Sequence, residues 1–182
     1  LHVVYHNHSA PVELHGDLTS LNNEGPTKGM LQRVPSIEWP ASSQEASSYY
    51  TLAFIDLGPD TGTTKVASAF FPLLHSLWTG CKSSSSNTAG GLVTLKDCAT
   101  TIKAYTPPGN TAKIPNRYFF LLLEHGVGYS ELQLQGGPAN RFLSAKMRKT
   151  MPIFGISLAR LLKENKGMRA VRWNVMLVHG TK

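Results

Sequence analysis

Apolar residues in this chain come in short runs, cut apart by Gly, Pro, Ser and Asn, and most runs are too short for helices. Leu1 to His8 predicts a first strand, and residues 15–31 have loop composition. Val34 to Pro40 predicts a short strand with Pro at both borders, where a missing N–H does least harm. Ser42 to Ser48 is a polar turn. Tyr49 to Ile55 is aromatic, β-branched and apolar throughout, which predicts a central strand. That strand is expected to end in a turn-rich loop, Asp56 to Gly62. Phe70 to Trp78 predicts another apolar strand, Tyr105 to Pro115 an extended or turning segment, and Arg117 to Glu124 a buried strand. Residues 82–91 are Ser/Asn/Gly-rich and predict a mobile loop.

Helical periodicity is strong at one place. Phe154, Leu158, Leu161 and Leu162 form an apolar stripe at i, i+4, i+7 and i+8. Ser157 or Gly155 suits the start of this helix, Lys163 and Lys166 its last turn, and Gly167 its end. Arg169 to Val178 then predicts a final strand. Many short strands and one late helix imply a mainly β fold, an antiparallel β-sandwich or barrel with a short C-terminal helix. At 182 residues, with no internal repeat, the chain reads as a single domain, 1–182. No apolar run approaches the roughly 18 residues of a membrane span. The chain opens at Leu1 with neither Met nor a signal-peptide pattern, so any targeting segment would precede it.

Charge changes the picture most. The net is +7, unevenly placed. Residues 141–182 hold ten basic residues and one acid, Glu164, for +9, while residues 1–140 hold eight basic and ten acidic residues, for −2. Confining the excess to one quarter of the chain suggests a surface facing phosphate, either RNA or anionic lipid. Arg148, Lys149, Arg160, Lys163, Lys166, Arg169 and Arg172 are the candidate nucleic-acid contacts.

Candidate chemistry is sparse. Cys81 and Cys98 flank the Ser-rich stretch; a disulfide would close it, but a domain of this size needs no staple, so reduced thiols are the expectation. His2, His6 and His8 would share one strand face without a further ligand to complete a metal set. His75 lies inside an apolar run and reads as a core histidine, and His125 as a strand-end residue. No nucleophile elbow, P-loop, dinucleotide fingerprint or zinc spacing is present. Binding is therefore expected rather than catalysis, with no cofactor and no metal.

Several segments, in order, resemble the phosphatidylethanolamine-binding protein (PEBP) family. Ser36-Ile37-Glu38-Trp39, then Tyr50-Thr51-Leu52-Ala53-Phe54-Ile55-Asp56, then Pro59-Asp60 are similar to the family's "S-I-x-W" strand and "Y-T-L-x-x-x-D-P-D-x-P" segment. Pro107-Pro108-Gly109 followed by Asn116-Arg117-Tyr118 resembles "P-P-x-G-x-H-R-Y". The opening Leu1-His2-Val3-Val4-Tyr5, and the late helix followed by a strand with Trp173, also resemble the family. The resemblance implies antiparallel sheets with a small pocket at one end that takes phosphate-like or carboxylate groups. Imidazole and backbone N–H groups would donate to the anion, oriented by aspartates.

Carried onto this chain, the pocket would comprise Asp56, Asp60, Asn116, Arg117 and Tyr118. Pro72 falls at about the position of one family histidine, and Asn116 replaces another. With two imidazole donors gone, a much weaker anion site, or none, is expected. One branch of the family is a protein of the mitochondrial large ribosomal subunit, and the chain is similar to it in its degraded pocket and basic surplus. The favoured expectation is a non-catalytic ribonucleoprotein component in mitochondria, contacting rRNA and neighbouring ribosomal proteins. The alternative is a free cytoplasmic binder of small anions, lipid headgroups or regulatory protein partners.

Overall fold

A computed structural model describes residues 1–6, 12–14, 31–40, 48–59, 72–82, 92–109, 114–125, 152–153, 155–165 and 167–178. The expected mobile loop at 82–91 lies outside these residues, apart from Lys82, as do Asp60, Arg148, Lys149, Phe154 and Lys166. Nine strands and two helices follow in the order β1 (His2–Tyr5), β2 (Val12–Leu14), β3 (Ser36–Pro40), β4 (Tyr49–Pro59), β5 (Leu73–Lys82), β6 (Leu92–Thr94), α1 (Leu95–Cys98), β7 (Thr100–Lys103), β8 (Asn116–His125), α2 (Leu158–Glu164) and β9 (Arg169–Val178) among the described residues. The fold is mainly β, as the sequence pattern implied.

The strands form two antiparallel sheets. The smaller runs β2-β1-β3-β6 and the larger β7-β5-β4-β8-β9. They pack face to face around one core. Val3, Tyr5, Ile37, Trp39 and Val93 from the small sheet meet Leu52, Phe54, Trp78, Phe120, Leu122 and Met176 from the large one. At its centre the Phe54 and Phe120 rings stack with centroids 4.3 Å apart. Each such side chain contributes about 1.5–3 kcal/mol on leaving water.

Alternation along β4 and β8 sends the intervening residues to the other face of the large sheet. There Ala53, Ile55, Leu74, Leu77, Leu121 and Leu123 form a second core under Ile156, Leu161 and Met168. Helix α2 lies over this face because its approach is anchored: Ile153 and Leu74 exchange backbone hydrogen bonds of 2.8 and 2.9 Å, and Ile156 N–H donates to Pro72. The Ser157 side chain accepts from Arg160 N–H at the helix start. Gly167, just beyond the end, has the left-handed φ of 85° that favours glycine.

Three expectations are corrected. The loop expected from Asp56 is instead the end of β4, which continues to Pro59 through an irregularity in its pairing with β8. The strand expected to end at Trp78 runs on to Lys82, as Leu73–Lys82, with Phe70 and Phe71 outside the described residues.

The third correction concerns Cys81 and Cys98, which form a disulfide rather than two thiols. Helix α1 is a single turn whose N-cap, Thr94, makes no side-chain cap bond, and Leu95 is its one buried residue. So short a helix has little intrinsic stability. The disulfide fixes it to the end of β5, with the Cα atoms 4.7 Å apart. Domain size was the wrong criterion, because the staple serves one local element. Reduction, or the double change Cys81→Ala and Cys98→Ser, should lower unfolding free energy by about 3 kcal/mol given the 17-residue separation. Urea titration with and without reductant reads this directly.

Candidate functional site

Asp56 lies near the end of β4, facing the sandwich interior with only 1% of its surface exposed. Three features hold its carboxylate. Gly58 N–H donates to Oδ1 at 2.6 Å, Asn116 Nδ2 donates to Oδ2 at 2.9 Å, and the Tyr118 hydroxyl lies close by. The first contact requires the backbone to turn back on itself, and Gly58 does so with φ of 85°. Burial raises the Asp56 pKa, and the donated hydrogen bonds counter part of that rise. The Tyr118 hydroxyl donates to the Gly109 carbonyl at 3.2 Å, which brings the Pro107-Pro108-Gly109 segment to the same end of the sheet.

The imidazole that the sequence placed in the core completes this cluster. His75 Nε2 lies 4.0 Å from Asp56 Oδ2. The ring packs edge-on to Phe54 and Tyr118, with centroids 5.5 and 5.2 Å away. Its inward direction follows from a register shift in the β4–β5 ladder between Phe54 and Ile55. His75, read from the sequence as a core histidine, is buried as expected and also stands beside the aspartate, a direction that only the register shift reveals.

The protonation state of His75 follows from its partners. Nδ1 lies 3.0 Å from the Thr106 carbonyl, which only accepts, so Nδ1 carries the proton. Nε2 is then a bare lone pair, buried and without a hydrogen-bond partner. It faces the Asp56 carboxylate, itself an acceptor. Burial lowers the ring's pKa to about 4, and the charge of Lys103 adds to this. At neutral pH the site therefore offers one unpaired acceptor, His75 Nε2, facing Asp56 Oδ2, which already accepts from Asn116.

Of the five residues assigned to the pocket, Asp56, Asn116 and Tyr118 converge. Arg117, between the last two on β8, projects to the opposite face and reaches Asp56 only through its charge. Asp60 lies outside the described residues.

The basic candidates are divided. Arg160 pairs with Glu164 one turn along α2. Arg169 grips Glu124 through two nitrogens, Nε at 2.8 Å and an Nη at 2.6 Å. Burial pushes the Glu124 pKa up, but Arg169, Ser48 and Tyr50 donating to it outweigh that and hold it below its usual value. Lys163 sits in the last turn of α2, and Arg172 is exposed on β9 beside Trp173, which is half exposed. Among the described residues no helix is long and apolar enough to cross a membrane, and no three His, Cys, Asp or Glu side chains group as a metal site. Comparison with protein-family models and with curated proteins finds no match to this chain.

Two outcomes follow. His75 is neutral when folded, with a pKa of about 4, and in an unfolded chain it protonates near 6.5. Stability is therefore full above pH 6.5 and falls as pH drops from 6.5 to 4, by about 3 kcal/mol from this group. His125, also lowered by burial, adds to the loss, and the raised Asp56 offsets part of it. Chemical denaturation at several pH values, repeated on His75→Phe, checks this; the variant should have the shallower slope. Separately, Arg169→Ala should cost about 1–2 kcal/mol, because it strips the charged partner from a buried carboxylate. Urea midpoints of the two proteins measure it.

Proposed function

We propose that this chain is a non-catalytic, PEBP-type binding protein that receives a small polar headgroup at the Asp56–His75 cluster. One observation carries the reading: a buried imidazole lone pair faces a buried carboxylate at 4.0 Å with no donor between them. A ligand ammonium or hydroxyl placed there pairs the Nε2 lone pair and adds a donor to Asp56 Oδ2 beside Asn116, and the cost of the one buried acceptor left unpaired becomes affinity. A bare anion meets the opposite situation. It needs a proton on Nε2 first, so its binding is coupled to proton uptake and strengthens as pH falls toward 4. The order of segments similar to the PEBP family supports the same end of the sheet as the site.

The disulfide bears on location. Such bonds persist in oxidising compartments and are rare in the cytosol. This weighs toward a secreted or luminal protein and away from the mitochondrial and cytoplasmic placements that charge and pocket composition suggested.

The second reading is a ribonucleoprotein component, and the +9 surplus of residues 141–182 favours it. Two of its cations, Arg160 and Arg169, are engaged by acids of the chain itself. Lys163 and Arg172 remain exposed in positions to meet phosphate, and the half-exposed Trp173 offers a stacking surface on the α2 face of the sheet, opposite that of Arg172.

Thermal unfolding with phosphoethanolamine and with inorganic phosphate separates the two. Phosphoethanolamine at tenfold its Kd should raise Tm by about 3–6 °C at pH 7. Inorganic phosphate should do so only near pH 5, and His75→Leu should lose both effects. No shift with either ligand, together with co-sedimentation of the endogenous protein with a large RNA-containing particle, would put the second reading first.

A further inference from the structure

The segment that follows β7 passes beside the Asp56–His75 cluster. Residues 104–109 belong to no strand or helix. They are pinned on both flanks of Thr106. The Tyr105 hydroxyl donates to the Leu31 carbonyl at 2.9 Å, and its ring stacks on Phe54 with centroids 5.7 Å apart. The Gly109 carbonyl accepts from Tyr118 at 3.2 Å. Thr106 itself meets His75 twice. Its N–H donates to the His75 carbonyl at 3.1 Å, and its own carbonyl lies 3.0 Å from Nδ1. Lys103, the last residue of β7 and only 6% exposed, reaches the same threonine. Its ammonium donates to Thr106 Oγ1 at 2.9 Å and to the Ala104 carbonyl at 3.1 Å.

We propose that Lys103 is a positioning residue for this cluster: through Thr106 it holds the His75 ring with its proton on Nδ1 and its Nε2 lone pair presented to a ligand donor. The assignment rests on the donor-binding reading above. A lysine so enclosed is rare unless its charge is met. An apolar side chain of similar length would fill the same space without the desolvation that an ammonium suffers. What lysine adds is its grip on Thr106 and a positive charge. Both act on the ring in one direction. The grip steadies a carbonyl that only accepts, and this places the ring proton on Nδ1. The charge opposes a second proton on the ring, against the pull of the Asp56 carboxylate 4.0 Å from Nε2. Burial is the larger cause of the low His75 pKa, and Lys103 adds to it.

Asp56 of β4, Tyr118 of β8 and Lys103 of β7 are titratable neighbours of the ring. Lys103 acts from the Nδ1 side, through Thr106, and a ligand meets the Nε2 side. A lysine that merely secured the 104–109 segment would leave the ring's tautomer unchanged on removal.

The test uses the full, oxidised, ligand-free protein labelled in its histidine ring nitrogens, whose resonances are followed as pH is lowered from neutral. In the parent protein His75 should show a proton on Nδ1 and a bare Nε2 at neutral pH. Lys103→Met keeps the stem and removes the ammonium. It should raise the midpoint of the His75 titration and admit the form with its proton on Nε2. Thr106→Val removes the hydroxyl that Lys103 grips, and should admit that form as well; Thr106→Ser should restore the parent spectrum. Phosphoethanolamine should bind Thr106→Val about tenfold more weakly, the scale of one lost hydrogen bond. Should Lys103→Met not fold, the two Thr106 variants carry the same comparison. The proposal is overturned if Lys103→Met and Thr106→Val leave the tautomer and titration of the parent unchanged, whether or not a ligand binds. If the tautomer follows these changes while phosphoethanolamine gives the parent no thermal shift, the ring is positioned as proposed and the donor-binding reading is what fails.

Discussion

Strand β4 is apolar on both faces, and a strand of that kind cannot border water. Leu52 and Phe54 must be covered on one side, Ala53 and Ile55 on the other. The small sheet answers the first demand and the α2 segment the second. The two-layer sheet packing, the anchoring of Ile153 and Ile156 to the start of β5, and the position of the late helix all follow from it. So does the polar site. Where β4 leaves the double-sided core, its last interior-facing acid, Asp56, has no apolar neighbour to replace it and is met by donors from Gly58 and Asn116.

The legible and illegible parts of this molecule divide along the same line. Strands β4 and β8, which pack against both cores, stood out as largely apolar runs, and β9 keeps the bounds read from its sequence. The Ser157 start and Gly167 end of α2 were equally plain, since capping chemistry is local. The short edge elements β6, α1 and β7 carry few apolar residues and hold their shape through neighbours and one disulfide, so no local pattern announced them.

At the site, Asp56, Asn116 and Tyr118 were found because each sits in a segment with recognisable order. His75 was assigned to the core for a sound reason: it is buried, at 3% exposure, inside an apolar run. What a one-dimensional pattern lacks is the register irregularity that turns it toward Asp56. Arg117 failed in the opposite way. Adjacency to Tyr118 in sequence suggested a shared site, yet the pleat of β8 separates the two across the sheet.

Gly58 has a consequence for how this pocket can change. One of the two donors that orient Asp56 is a main-chain N–H, presented by a backbone twist that glycine tolerates and larger residues resist. Replacing side chains around the carboxylate leaves that donor in place. Substitution at positions 75 and 116 can therefore change the polar groups presented beside Asp56 while the Gly58 N–H still holds its carboxylate. The aspartate is the fixed point of this cluster, and the imidazole and amide are its exchangeable parts.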